Sequence, residues 1–173
     1  MFARTQIASG SLLDIETRDE LLRRSERIMA RDRALLLLSH AAQTRRGLAR
    51  KLAARGFSAS AVHHAVARMA ELGYLDDKAF AASWVRSRLS MRKDGVFALS
   101  RGLMTRGIAR PLADEVLQEM YPPDDEAAVA FELVQGLSRD AAIRRLTGRG
   151  FRARAIATAV RYLKRKDREP DEE

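Results

Sequence analysis

The sequence predicts an all-α protein made of tandem three-helix repeats stacked into an elongated, curved array, and three observations carry that expectation. Glycine and proline are sparse, 10 and 4 in 173 residues, while Ala, Leu and Arg abound, a composition that favours helix throughout. An Arg-Gly-apolar corner recurs, at Arg55-Gly56-Phe57, Arg106-Gly107-Ile108 and Arg149-Gly150-Phe151. Both flanks repeat with it. Downstream, Val66, Leu117 and Val160 coincide, as do Met69, Met120 and Leu163; upstream, Leu52, Leu103 and Leu146 line up, preceded one turn earlier by Leu48, Leu99 and Ala142. Matching apolar positions on both sides of a corner mark a structural repeat rather than a common dipeptide in a basic chain.

The corner has a physical reading. A glycine just past a helix end takes the left-handed backbone conformation that a side chain disfavours, and a Schellman cap then folds the next residue back onto an earlier turn. The pairs so formed are Phe57 with Leu52, Ile108 with Leu103 and Phe151 with Leu146, apolar each time. Leu72-Gly73-Tyr74 closes another helix in the same way and places Tyr74 over Met69.

In chain order, residues 1–17 lack a sustained period and contain Ser9-Gly10-Ser11, which reads as a tail. A first unit spans 18–74. Its opening segment carries Leu21, Leu22, Ser25, Ile28, Met29, Leu35 and Leu38 on a helical period, with Thr17 or Asp19 as the cap. Thr44 is placed to cap the helix that follows, and Ser58 or Ser60 the one bearing Val62, Val66 and Met69. A second unit, 75–121, opens on Asp76-Asp77 ahead of the stripe Phe80, Trp84, Leu89. Two adjacent acids before such a stripe cap a helix rather than hold a metal. Asp94-Gly95 is its interhelix turn, the next helix carries Phe97, Leu99 and Leu103, and Pro111 falls in the first turn of the last one. Pro122-Pro123 opens a third unit, 122–168, with an acidic first turn at Asp124, Asp125 and Glu126, an end at Gly136 and a cap at Ser138; 169–173 is a short acidic tail.

Composition narrows the function. The formal charge is +9, from 32 basic and 23 acidic residues, which speaks to polyanionic partners and not to fold. The absence of Cys excludes disulfides and thiolate metal sites and fits a reducing cytoplasm; the apolar island at 34–38 is too short to span a bilayer. No phosphate-cradling glycine loop occurs, and His40, His63 and His64 do not form a ligand set, so the sequence predicts no enzyme, no cofactor, no metal and no small-molecule substrate.

What recurs instead is cationic. The second helix of each unit presents Arg45, Arg46, Arg50 and Lys51, then Arg101 and Arg106, then Arg139, Arg144, Arg145 and Arg149, and Arg86, Arg88, Arg92 and Lys93 add a cluster before the second set. The shared phase is expected to align them into a basic strip, and the planar guanidinium fork suits carboxylates and phosphates. Phe57, Tyr74, Phe80, Trp84, Phe97 and Phe151 fall at expected core positions, leaving few aromatics to stack on bases.

The runs Leu48-Ala49-Arg50-Lys51-Leu52-Ala53-Ala54-Arg55-Gly56-Phe57, Leu72-Gly73-Tyr74-Leu75-Asp76-Asp77-Lys78-Ala79-Phe80-Ala81 and Trp84-Val85-Arg86-Ser87-Arg88 resemble the bacterial RecX regulatory family. The likeness extends over about 34–166 and departs at 91–97, where Asp94 and Val96 replace a more glycine-rich, basic turn. The resemblance implies a non-enzymatic modulator in DNA repair, lying along the RecA filament on single-stranded DNA and limiting its ATPase, strand exchange and coprotease activities. It also implies a cytoplasmic protein, read here as a monomer. The rival expectation is a basic helical-repeat protein that binds nucleic acid without RecA.

Overall fold

The computed structural model describes residues 14–166, with side chains as far as Leu163. Of the tail expected at 1–17, residues 1–13 lie outside the described residues, as does the acidic end at 169–173, while 15–17 are helical and not part of a tail. Among the described residues there are nine helices and no strand: α1 (Ile15–His40), α2 (Arg45–Ala53), α3 (Ala59–Glu71), α4 (Asp77–Arg92), α5 (Val96–Thr105), α6 (Arg110–Met120), α7 (Pro123–Val134), α8 (Arg139–Gly148) and α9 (Ala153–Lys166). Tandem three-helix architecture is therefore present, and the corners explain how each triplet turns. At Gly107, φ is +95°; the Ile108 N–H donates to the Leu103 carbonyl at 3.1 Å and the Gly107 N–H to that of Met104 at 2.9 Å, the two bonds of a Schellman cap. Gly150 repeats it, with Phe151 N–H on Leu146 O at 3.2 Å.

The helix starts follow from short polar side chains. Helix α1 is continuous and begins before the expected point, because Asp14, rather than Thr17 or Asp19, is the cap: its carboxylate accepts from the Thr17 amide and hydroxyl, both at 2.8 Å. Those bonds hold the Asp14 carboxyl below its ordinary range. Asp76 caps α4 through the Ala79 amide at 2.8 Å, whereas Asp77 accepts from the Arg45 amide at 2.8 Å and so serves the start of α2. Asp76 is the cap its position indicated, while Asp77, in the first turn of α4, serves a helix that its position did not indicate. Ser138 occupies the cap position of α8, yet its hydroxyl makes no capping bond.

Contacts divide the chain into two compact units, one joining 14–41 to 48–74 and the other joining 42–47 to the chain from Leu75 onward, so α2 gives its first three residues to the second unit. In the first, α1 packs on α3 through Ala30 and Ala34, small residues that allow close approach, above a core that includes Leu48, Leu52 and Met69. Glu26 ties the two helices, accepting from the Ser58 amide at 2.7 Å and hydroxyl at 2.6 Å, and these bonds lower its pKa.

In the second unit, α4–α6 enclose Ala81, Val85, Leu99, Leu103, Val116 and Tyr121, and α7–α9 enclose Ala130, Val134, Ala142, Leu146, Phe151 and Ala159; Val129 touches both clusters. The Thr44 hydroxyl is buried here. It accepts from the Gly47 amide at 2.9 Å and donates to the Arg106 carbonyl at 2.6 Å, so one side chain caps α2 and satisfies the end of α5. Thr44→Ala is expected to lower stability by about 1 to 2 kcal/mol, read as a fall in the urea midpoint with an unchanged slope.

A polar knot joins the two halves of this unit. The Gly95 and Phe97 amides donate to the carbonyls of Arg149 at 3.0 Å and Gly150 at 2.9 Å. Beside them Glu126, fully buried, accepts on one oxygen from the Val96 and Arg152 amides, each at 3.1 Å, at the N-termini of α5 and α9. Its second oxygen faces the Arg152 guanidinium at 3.6 Å. Glu126 lies in the acidic first turn expected for α7, and it is at the same time a core residue. The neighbouring Tyr121 phenol is pushed above its ordinary pKa by burial first and then by the Glu126 and Asp125 charges.

Candidate polyanion-binding surface

The basic side chains sort by what already holds them. Arg88 pairs with Asp94 at 2.6 Å and lies 5.7 Å from the centre of the Trp84 ring. The Arg106 guanidinium lies 4.6 Å from that same centre and donates to the Gly102 carbonyl at 3.1 Å. The indole reaches α5 because residue 102 is glycine: a Cβ there would stand 2.3 Å from the Trp84 ring. Arg46 adjoins the group, its stem packed where a Cβ on Gly107 would come within 2.7 Å. The structure thus gathers Arg88 and Arg106 about Trp84 through cation–π contacts, while the Arg46 stem lies against Gly107.

Lys93 and Arg149 are also engaged, Lys93 with Glu132 at 2.5 Å and Arg149 with the Arg92 carbonyl at the end of α4. Each was expected to be a free contact group, as was Arg88; a cation already paired and partly desolvated has less to offer an external anion. By contrast, the side chains of Arg45, Arg46, Arg50, Lys51, Arg86, Arg92, Arg101, Arg144 and Arg145 are exposed and make no hydrogen bond or ion pair among the described residues. Within the expected set, these carry the available positive charge. Arg50 and Lys51 belong to the first unit and the others to the second. Lys78, absent from the sequence-derived set, is committed to Glu115 at 2.6 Å and Glu119 at 3.0 Å, and those bonds raise its pKa.

Two aromatics are not where the period placed them. Phe97 is 58% exposed because Val96, Leu99 and Leu103 take the buried face of α5 and position 97 lies a quarter-turn away. Tyr74 is 57% exposed: its amide makes the expected bond to the Met69 carbonyl at 2.9 Å, but the ring stays in solvent while Leu75, the next residue, is buried. With Tyr162, 53% exposed, three rings present faces that the sequence assigned elsewhere or passed over. The signal was the period itself.

No group of three or more potential metal ligands occurs among the described residues, and no described helix is long and apolar enough to cross a membrane.

Comparison with known proteins finds likenesses to this arrangement among RecX proteins. Residues 30–69 match the model of the first three-helix domain of RecX, and residues 76–117 that of the second. The regulatory protein RecX of Thermus thermophilus is 36% identical over 118 residues, covering 68% of this chain and 80% of that protein. The Halorhodospira halophila relative is 44% identical over 89 residues, and the Streptomyces coelicolor one 34% identical over 125. The chain spans 55% of the length of the first of these two and 66% of the second. In fold, the crystal structure of RecX from Lactobacillus salivarius superposes with a TM-score of 0.76 at 20% identity, covering 81% of this chain and 97% of that one.

Proposed function

The chain belongs to the RecX family of regulatory proteins, and on that premise we propose that it binds the RecA filament on single-stranded DNA and restrains its ATPase, recombinase and coprotease activities without chemistry of its own. The observation that carries the reading is the set of exposed, unpaired cations distributed over successive helices, above all Arg46, Arg50, Arg101, Arg144 and Arg145. A filament repeats acidic side chains and phosphates along its length, and several weak contacts made by one chain add through effective concentration. Alignment of these cations into a single strip, module boundaries at 74/75 and 121/122, and action in the cytoplasm are parts of the same proposal.

The test titrates the chain into RecA assembled on single-stranded DNA, with ATP turnover as the readout. Reversing Arg50, Arg101 and Arg145 together to Glu is expected to weaken inhibition about a hundredfold with helicity intact, since each attraction becomes a repulsion. Arg88 is left alone because its loss would release Asp94 and Trp84. Unchanged inhibition would overturn the proposal.

The exposed rings of Tyr74, Phe97 and Tyr162 favour a second reading, binding of single strands without RecA, because bases stack on such faces. That reading predicts tight binding to naked strands with a steep salt dependence.

A further inference from the structure

We infer that Trp84 is a positioning residue, holding the Arg106 guanidinium in the plane in which it clasps a phosphodiester of a single nucleic-acid strand. Arg106 is one of three equivalent corner arginines, with Arg55 and Arg149. Arg55 donates to the carbonyl one turn back, that of Lys51, at 2.7 Å, and Arg106 does the same to Gly102 at 3.1 Å. Arg149 instead turns to the Arg92 carbonyl and is half-buried. Among the described residues, Arg106 alone of the three also has a ring against it, its central carbon 4.6 Å from the centre of the Trp84 ring.

The ring is there because the sequence gives something up. One turn before the corner stand Lys51 in α2 and Arg145 in α8, but Gly102 in α5. Glycine inside a helix is unfavourable, and here it takes the place of a cation. What it admits is the indole, since a Cβ at 102 would lie 2.3 Å from the Trp84 ring. Helix α5 thus exchanges one positive charge and some local stability for a flat surface beside the guanidinium that remains.

Arg106 is held without being neutralised. Arg88, the other guanidinium on this ring, is paired with Asp94 at 2.6 Å, whereas Arg106 meets no carboxylate among the described residues and is exposed. One N–H goes to Gly102 and the rest stay available. A planar fork fixed by a ring and a carbonyl has already lost its rotamer freedom, so less is lost when an oxyanion binds. The neighbouring charges name that oxyanion. The Arg46 stem lies against Gly107, Arg45 precedes it, and neither side chain has an ion-pair partner among the described residues. A folded protein surface interleaves carboxylates with cations that this group would repel, while a nucleic-acid strand carries a negative charge at every link and no cation. The inference rests on the filament reading only in taking the strand to be the one RecA holds.

Arg106→Lys keeps the charge and removes the planar fork; Arg55→Lys makes the same change at the equivalent corner without a ring. The full chain is titrated at low salt into a labelled oligothymidylate, with anisotropy as the readout. Arg106→Lys is expected to weaken binding about tenfold and Arg55→Lys less than about twofold, with an unchanged salt slope in both because no charge is lost. Trp84→Phe, which offers a poorer ring, should weaken binding about threefold. In the Trp84→Phe chain the further change Arg106→Lys should then cost about threefold instead of tenfold, since the two side chains act as one. Fully independent losses would mean that Trp84 only supports the fold, and would overturn the inference. Equal effects of the two lysine variants would overturn it too, and that comparison stands even if Trp84→Phe fails to fold. A fall in RecA inhibition by Arg106→Lys with strand affinity unchanged would place Arg106 on a protein carboxylate and likewise overturn it. An unaltered chain that leaves RecA turnover unchanged sinks the filament proposal alone, whatever the strand titration gives.

Discussion

Gly95→Ala is expected to destabilise the second unit by about 3 to 5 kcal/mol. The backbone of Gly95 is extended, with φ −75°, so alanine suffers no conformational penalty. The cost is steric. A Cβ would stand 2.3 Å from the Phe151 nitrogen and 2.4 Å from the carbonyl carbon and oxygen of Gly150, main-chain atoms that have no rotamer to change. Relief requires the start of α5 to withdraw, which breaks the bonds from Gly95 to Arg149 and from Phe97 to Gly150. Gly56→Ala is the contrast: φ is +87° but nothing lies within 4 Å of its Cβ, so the cost is the left-handed conformation alone, about 1 to 2 kcal/mol. Urea unfolding followed by circular dichroism separates the two. Equal midpoints would mean that the contact between α5 and the α8–α9 corner does not hold the unit together.

What could be read in advance was the part of the structure that is local. Gly107 and Gly150 announce helix ends because the conformation they adopt is a property of one residue, and Thr44, Ser58 and Asp76 announce starts for the same reason. Pairing across the fold was hidden. Nothing near Arg88 in the chain says that Asp94 returns to it, nor near Arg149 that the end of α4 awaits it, so cations counted as available proved committed. Phe97 and Tyr74 were misplaced through weighting size above phase: an aromatic ring was assumed to seek the core although smaller neighbours held the buried positions. Glu126 sits in the acidic first turn that the sequence showed, but its burial was not read from it, because its sequence neighbours Asp124 and Asp125 are exposed. Yet Glu126, Ala130 and Val134 are spaced four apart, and all three are buried on one face of α7.

Glu126→Ala is therefore expected to cost about 3 to 5 kcal/mol, and the competing terms decide the sign. Removing a buried charge relieves its desolvation, which by itself would stabilise. Against that, two amides at helix N-termini, Val96 and Arg152, lose their acceptor, at about 1 to 3 kcal/mol each where water cannot replace it. The carboxylate is also the negative group facing the positive ends of α5 and α9, and the Arg152 side chain, one-third exposed, recovers only part of its solvation when left alone. The losses outweigh the relief. Glu126→Gln keeps an oxygen for both amides and forfeits only the charge, so about 1 to 2 kcal/mol is expected, and the gap between the two variants measures the acceptor separately from the charge. Hydrogen exchange localises it: the Val96 and Arg152 amides should lose protection in the Ala variant while Leu103 and Leu146 keep theirs. If the Ala variant unfolds at the midpoint of the unaltered chain, Glu126 is a tolerated burial, and the backbone bonds of Gly95 and Phe97 to the α8–α9 corner hold the link without it.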